Sequence, residues 1–381
     1  MSWPKARLAD VASMRTGKLD SNASVKDGDY PFFTCSQQTL RIDKPAFDTK
    51  AVLLGGNNAE GIFPLKYYEG QFNAYQRTYV IESKDNQILD TRFLYYSLRP
   101  ALSHFQSASI GAATQYLTKG ILDNFRVELP PIKEQKRIAS ILSAYDDLIE
   151  NNRRRIQLLE QAARLLYKEW FVHLRFPGHE HTKIINGIPV GWEKKTAIEV
   201  MDVLSGGTPK TTNPAYWDGD IPFYTPKDSV DYAYVFEIEK FITEEGLKNC
   251  NSKLYDKDTI FITARGTVGK INLAQRTMAM NQSCYALIAR ASLNQHFLYF
   301  ALVESIEQFR SRAVGAVFDA IIIDTFKMIP FVVPDKNLID LFTESVCPIL
   351  NQIDVLSGQN RNLIKARDLL LPRLMNGEIA V

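Results

Sequence analysis

The sequence predicts an α+β chain written twice: two mixed domains related by a pseudo-two-fold, separated by an antiparallel coiled coil of two long helices, in a cyclic tandem-repeat plan. Three observations carry this expectation. "DGDYPFFT" (Asp27–Thr34) returns as "DGDIPFYT" (Asp218–Thr225), identical at six of eight positions. Three further segments recur in the same order: "WPKARLADV" as "WEKKTAIEV", "FLYYSL" as "FLYFAL", and "IGAATQYLTKGILDNFRVELPP" as "VGAVFDAIIIDTFKMIPFVVP". After each copy, apolar residues recur at alternating steps of three and four, which is a heptad seam.

Taken in order, residues 1–130 form the first mixed domain. "AVLLGG" (Ala51–Gly56) and "QRTYVIE" are short branched or aromatic runs near glycine, which suits strands. "TRFLYYSLRPALSHFQ" reads as a helix. Residues 131–175 follow "LPP" and form the first long helix, with the seam Ile138, Leu142, Tyr145, Ile149, Asn152, Ile156, Leu159, Ala163, Leu166 and Trp170. Residues 176–190 are a linker. Residues 191–334 repeat the mixed domain, with "TIFITARG" and "QSCYALIA" as strands. Residues 335–381 are the second long helix and a tail. Its seam is Ile339, Phe342, Val346, Ile349, Ile353, Leu356, Asn360, Leu363, Arg367, Leu370 and Leu374. Pro348 is expected to kink this helix or mark a late start. Each seam carries one asparagine, Asn152 and Asn360, and a polar seam residue fixes register at a cost in stability. A helix of about 40 residues is roughly 60 Å long, against about 34 Å for one turn of B-DNA. Two related domains held by such a rod suit two separated half-sites on DNA.

Composition narrows the classes. The net charge of +2 excludes a polycation, so any nucleic-acid surface is a local patch. The start lacks the apolar core of a secretory signal, and no apolar run approaches the length that spans a bilayer. Cys35, Cys250, Cys284 and Cys347 form no CxxC and read as free thiols in a reducing cytoplasm.

"LPPIKEQKRIASIL" (Leu129–Leu142), "LLEQAARLLYKEWFVHLRFPG" (Leu158–Gly178), "GGTPKTTNPAYWDGDIPFYTPKD" (Gly206–Asp228) and "LLLPRLMNGEI" (Leu369–Ile379) resemble the specificity (S) subunit of type I restriction-modification systems over nearly the whole chain. The resemblance implies two target-recognition domains reading a bipartite double-stranded DNA site, with no catalysis and no cofactor in this chain. It implies two methylation (M) subunits, docked on and beside the helices, carrying S-adenosylmethionine and modifying adenine. It also implies restriction (R) subunits that use ATP and Mg for translocation and cleavage. The two copies agree at framework positions and diverge elsewhere, "SQQTLRIDK" against "PKDSVDYAY", which points to unlike half-sites. The rival readings are a different or unpartnered DNA-modification defence system, a protein-only scaffold, and a self-contained DNA methyltransferase or nuclease.

Enzyme signatures are weak. "NPAY" (Asn213–Tyr216) resembles an adenine-methyltransferase motif, but Ala215 replaces a proline and no cofactor loop accompanies it. "GTVGK" (Gly266–Lys270) fails the phosphate-loop spacing, and Ile271 follows the lysine. "HEH" (His179–His181) has no further ligands at tetrahedral spacing. "RRR" (Arg153–Arg155) reads as a solvated helix face or a contact to a partner subunit or DNA backbone.

Base reading needs side chains with fixed donors and acceptors on loops, chiefly Arg for guanine and Asn or Gln for adenine, with Lys and Arg on phosphates. Polar clusters beside glycine or proline supply the candidates. In the first domain they are Ser36, Gln37, Gln38, Arg41, Asn57, Asn58, Gln76 and Arg77. In the second they are Lys210, Thr211, Thr212, Lys227, Arg265, Asn281, Gln282 and Arg312.

Overall fold

The repeated DGD motif answers a backbone requirement. A Cβ on Gly28 would stand 2.5 Å from the carbonyl carbon of Ile42, and one on Gly219 would stand 2.6 Å from the carbonyl oxygen of Ile242. In both copies the neighbouring strand lies against the glycine, so no side chain fits. The structure, a computed structural model, describes residues 3–59, 61–290, 293–311 and 320–381. The chain divides into two compact units, Met1–Ile149 with Asn362–Val381, and Glu150–Arg361, and each long helix contributes to both.

In the first unit a six-stranded sheet runs in the order Ala12–Thr16, Thr78–Ser83, Phe47–Gly55, Leu65–Ala74, Tyr30–Phe33, Leu40–Ile42. Neighbours are antiparallel, except that Tyr30–Phe33 lies parallel to the end of Leu65–Ala74. The apolar run at Ala51–Leu54 is central and covered on both sides. Val52 and Leu54 pack with Phe93 and Leu94, while Ala51 and Leu53 pack with Phe33 and Phe72. A strand covered on both faces needs no alternation of apolar and polar residues.

The second unit repeats this order with one interruption. Met201–Ser205, Cys284–Ala289, Ile260–Thr263 and Ile271–Ala274 pair in sequence. The counterpart of Leu65–Ala74 then breaks, and Ala279–Met280 resumes it parallel to Trp217–Tyr224. The "WPKARLADV" repeat gains its meaning here. Lys5–Arg7 pairs with Arg126–Glu128, and Glu193–Thr196 pairs with Pro330–Val333. Each copy thus ties its start to the segment that feeds its long helix.

The single helix expected at "TRFLYYSLRPALSHFQ" is two, Thr91–Leu98 and Leu102–Ala108. Pro100 lies at the break, where it removes a backbone donor and crowds the preceding turn. The second copy lacks that proline and forms one helix, Gln295–Ser311.

The long helices are Ile132–Tyr167 and Lys336–Met375. In the second unit Asn152 meets Asn360, while the Tyr167 ring stands 5.7 Å from that of Phe342, so the helices run antiparallel. In the first unit Asp146 meets Arg367 in the same sense. Seam residues Ile138, Leu142, Ile149, Asn152, Ile156, Ala163, Ile353, Leu356 and Asn360 are buried. Tyr145, Leu159, Leu166, Leu363 and Leu370 are half-buried. Tyr167 and Leu350 are buried outside the seam as read, because an α-helix drifts against a strict heptad. Pro348 does not mark a late start: the helix begins at Lys336, and Pro348 is exposed within it.

His179–His181 form an exposed single turn, and among the described residues no group of His, Cys, Asp and Glu could hold a metal ion. Arg153–Arg155 are exposed, and the four cysteines are free thiols. Among the described residues no helix is long and apolar enough to cross a membrane.

Candidate nucleic-acid interface

In each unit the same backbone bonds gather turns from distant parts of the chain at one end of the sheet. In the first, Tyr75 N–H donates to the Phe33 carbonyl at 2.9 Å, Gly56 N–H to Arg77 at 2.8 Å and Leu117 N–H to Gly56 at 2.9 Å. In the second, Asn281 N–H donates to Tyr224 at 3.0 Å, Ala264 N–H to Ser283 at 2.8 Å and Ile321 N–H to Ala264 at 3.0 Å. The glycine after the first sheet strand closes the hub. A Cβ on Gly17 would lie 1.7 Å from the Ala74 oxygen, and one on Gly206 would lie 2.2 Å from the Asn281 oxygen. The hub makes Tyr75–Thr78 the counterpart of Asn281–Cys284, and Gln76 the counterpart of Gln282.

Most of the first-domain candidates meet at this crest. Ser36, Gln37 and Gln38 are exposed on the turn after "DGDYPFFT". That turn is held by Ser36 N–H on Thr34 Oγ1, Gln38 N–H on Ser36 Oγ, and Lys66 Nζ on the Ser36 carbonyl and Thr39 Oγ1. Burial lowers the Lys66 ammonium from its ordinary pKa, as expected for a cation serving inside a turn. The Cys35 thiol reaches the Arg77 carbonyl at 3.6 Å and joins this turn to the next. Gln76 and Arg77 are exposed there, with the Arg77 guanidinium 5.2 Å from the Tyr116 ring centre. Asn57 and Asn58 form a two-residue strand paired with Gln115 and Tyr116. Asn57 Oδ1 is buried without a hydrogen-bond partner, an acceptor in want of a donor. Arg41 stands apart. Its guanidinium donates to the Gly28 and Asp29 carbonyls at 2.8 and 3.0 Å, so it braces the DGD turn.

In the second unit Lys227 is exposed on the turn after "DGDIPFYT", which Asp228 closes onto the Thr225 N–H and hydroxyl at 2.7 Å each. Arg265 is exposed at the end of its strand, before Gly266 at φ +79°. Asn281 turns inward, accepting from Ser283 N–H at 3.0 Å, and Gln282 points out. Lys210, Thr211 and Thr212 are exposed in the loop after Gly206–Gly207. Arg312 lies outside the described residues. Sequence reasoning missed Asp20, Thr208 and Tyr116, which hold three of the candidates from behind. "GKLD" and "GGTPK" after the first sheet strand of each copy are the only local signal of two of them.

Exposed amides and guanidiniums are thus presented twice, on one backbone hub in each unit of a duplicated α+β chain. The family model for the type I restriction modification DNA specificity domain matches residues 2–161 and 189–339, and the chain belongs to that family. It is 29% identical to the type I restriction enzyme EcoDI specificity subunit of Escherichia coli, over 78% of this chain and 70% of that one. It is 22% identical to the HindI specificity subunit of Haemophilus influenzae over 99% of both. The crystal structure of a type I restriction-modification S subunit from M. genitalium shares the fold, with a TM-score of 0.65 at 18% identity over 98% of this chain and 96% of that one.

Proposed function

We propose that this chain reads a bipartite, asymmetric DNA sequence, one half with each crest, and does no chemistry itself. The observation that carries the proposal is the crest pair. The same backbone hub recurs in both units, while the side chains on it differ: Asn57 stands where the other copy has Arg265, and Arg77 where it has Ser283. A shared scaffold with unlike polar groups suits two unlike half-sites. In this reading the long helices set the spacer between the halves. Methylation subunits carrying S-adenosylmethionine bind the assembled chain and modify adenine within the target, and restriction subunits that use ATP and Mg act through the same complex. The setting is the cytoplasm.

The test is the host's methylated-base map with the gene intact and deleted. Loss of N6-methyladenine from one bipartite motif supports the reading, and an unchanged map in a host that expresses the chain rejects it. Inserting one heptad into both helices changes the preferred spacer and leaves both half-sites as they were. Altered half-sites would reject the spacer role.

A further inference from the structure

Gln76 and Gln282 occupy the same place in the two hubs, yet opposite ends of their amides are held. Gln76 Nε2 donates to Asp20 Oδ2 at 3.4 Å. A carboxylate at neutral pH only accepts, so the amide nitrogen must face it and the carbonyl is left for a ligand. Asp20 is itself fixed, because its Oδ1 accepts the Ser21 N–H at 2.6 Å at the start of a short helical turn. The backbone of Gln76 is tied to the same segment through its N–H on the Leu19 carbonyl at 2.9 Å. In the second unit the Thr208 hydroxyl donates to Gln282 Oε1. Thr208 lies between Gly207, whose N–H is bound to the Met280 carbonyl at 3.2 Å, and Pro209, which restricts the threonine to extended backbone. The carbonyl of Gln282 is therefore engaged, and its two N–H donors are left for a ligand.

The geometry points to Gln76 and Gln282 as specificity-determining residues of opposite polarity. Gln76 accepts from the exocyclic amino group of adenine or cytosine, and Gln282 donates to a major-groove acceptor, which guanine, thymine and adenine N7 all supply. In the major groove adenine N6 and cytosine N4 are donors, while guanine N7 and O6, thymine O4 and adenine N7 are acceptors. Two copies of one glutamine thus ask for unlike groups on the base edge without any change of residue. The inference rests on the DNA-reading function above and adds which chemistry each head demands.

The experiment expresses the full chain with its own methylation subunits and reads the methylated motif. Four variants separate the polarities. Asp20→Asn with Gln76→Glu keeps the internal hydrogen bond and the outward acceptor, and Gln76→Lys offers donors only. Gln282→Lys keeps donors, and Gln282→Glu offers acceptors only. The expected result is that the Glu variant at 76 and the Lys variant at 282 retain the wild-type base at one position each. Their opposites relax that position by roughly ten- to hundredfold, in one half-site only. The reverse order at either residue, or a motif unchanged by all four variants, overturns the assignment. A measurement without variants guards against misfolding. With the wild-type complex, a base analogue lacking the exocyclic amino group lowers methylation when it replaces the base read by the first crest. A 7-deazapurine, or a thymine analogue lacking O4, does so for the base read by the second. Indifference to these analogues at every half-site position also overturns it. If the wild-type complex writes no motif at all, the DNA-reading function has failed instead.

Discussion

Asn152 and Asn360 are the test of what a polar pair does inside an apolar seam. They are 2% and 8% exposed, and Asn152 Nδ2 donates to Asn360 Oδ1 at 3.0 Å. A neutral side-chain hydrogen bond nets about 0.5–1.5 kcal/mol, and a buried polar group deprived of one costs more. Asn152→Leu therefore destabilises the second unit by about 1–2 kcal/mol, because a leucine is set against an amide that has lost its donor. Asn152→Leu with Asn360→Leu recovers that loss and exceeds the parent, since a fully buried leucine contributes about 1.5–3 kcal/mol. What the double variant gives up is the mark that aligns the helices, because leucine pairs tolerate a slip of one heptad and an asparagine pair does not. The assay is urea unfolding followed by tryptophan fluorescence in a Trp3→Phe background, where Trp170, Trp192 and Trp217 all report on the second unit. Hydrogen exchange along the helices reads alignment. A stabilising Asn152→Leu, or a double variant less stable than either single one, would refute the reasoning.

Three further outcomes follow from single contacts. Arg367 is 9% exposed and reaches Asp146 Oδ1 at 2.6 Å, while Tyr96 donates to Asp146 Oδ2 at 2.7 Å. Arg367→Met removes the buried cation and costs the first unit about 2 kcal/mol, measured as a shift in urea midpoint that Asp146→Asn partly restores. Gly28→Ala and Gly219→Ala drive a methyl group into the neighbouring strand, and each lowers the stability of its own unit by about 2 kcal/mol or more in thermal melts. Glu160 is half-buried, its Oε1 accepting the Ala233 N–H at 2.5 Å, and burial pushes its carboxyl from 4.5 up to about 7. The folded chain then holds a proton that the unfolded chain releases, so this contribution is full below pH 4.5 and is lost as pH rises through 7. Glu160→Gln removes the dependence, and its stability relative to the parent improves by about 3 kcal/mol between pH 4.5 and 8. Equal slopes in a pH series of urea midpoints would count against it.

The parts of the fold that repeat were legible, because two copies of one pattern reveal a spacing that a single copy hides. The helices were legible for a related reason: a seam of steps of three and four survives the loss of any one position. What sequence did not carry was set by tertiary pairing. The counterpart of Leu65–Ala74 breaks between Ala274 and Ala279 in the second unit, and its pieces join different neighbours. No propensity marks that exchange. At the crest, clusters of polar residues beside glycine marked turns that the backbone hub brings together, but not the contacts made within them. Arg41 has the look of a base reader and is occupied with the Gly28 carbonyl. Asp20 lies 56 residues before Gln76 and Thr208 lies 74 before Gln282, so nothing local joins holder to held.

The two copies agree where the backbone is crowded and differ where side chains meet solvent. Gly17 and Gly206, and Gly28 and Gly219, answer the same steric demand, while Thr34 accepts from the Ser36 N–H and Thr225 donates to Asp228 to hold the turn after each DGD motif. Around them Asn57 corresponds to Arg265, and Arg77 to Ser283, exchanges that alter donors and acceptors on a shared hub. A protein whose reading groups sit on such a hub can change what it reads by replacing exposed side chains, or by re-tethering an unchanged one, as Asp20 and Thr208 do to the two glutamines. The hub is costly to alter and the side chains on it are not. That difference in cost is why identity between the halves concentrates in glycines and strand ends, while the proposed reading groups differ in side chain or, at the two glutamines, in tether.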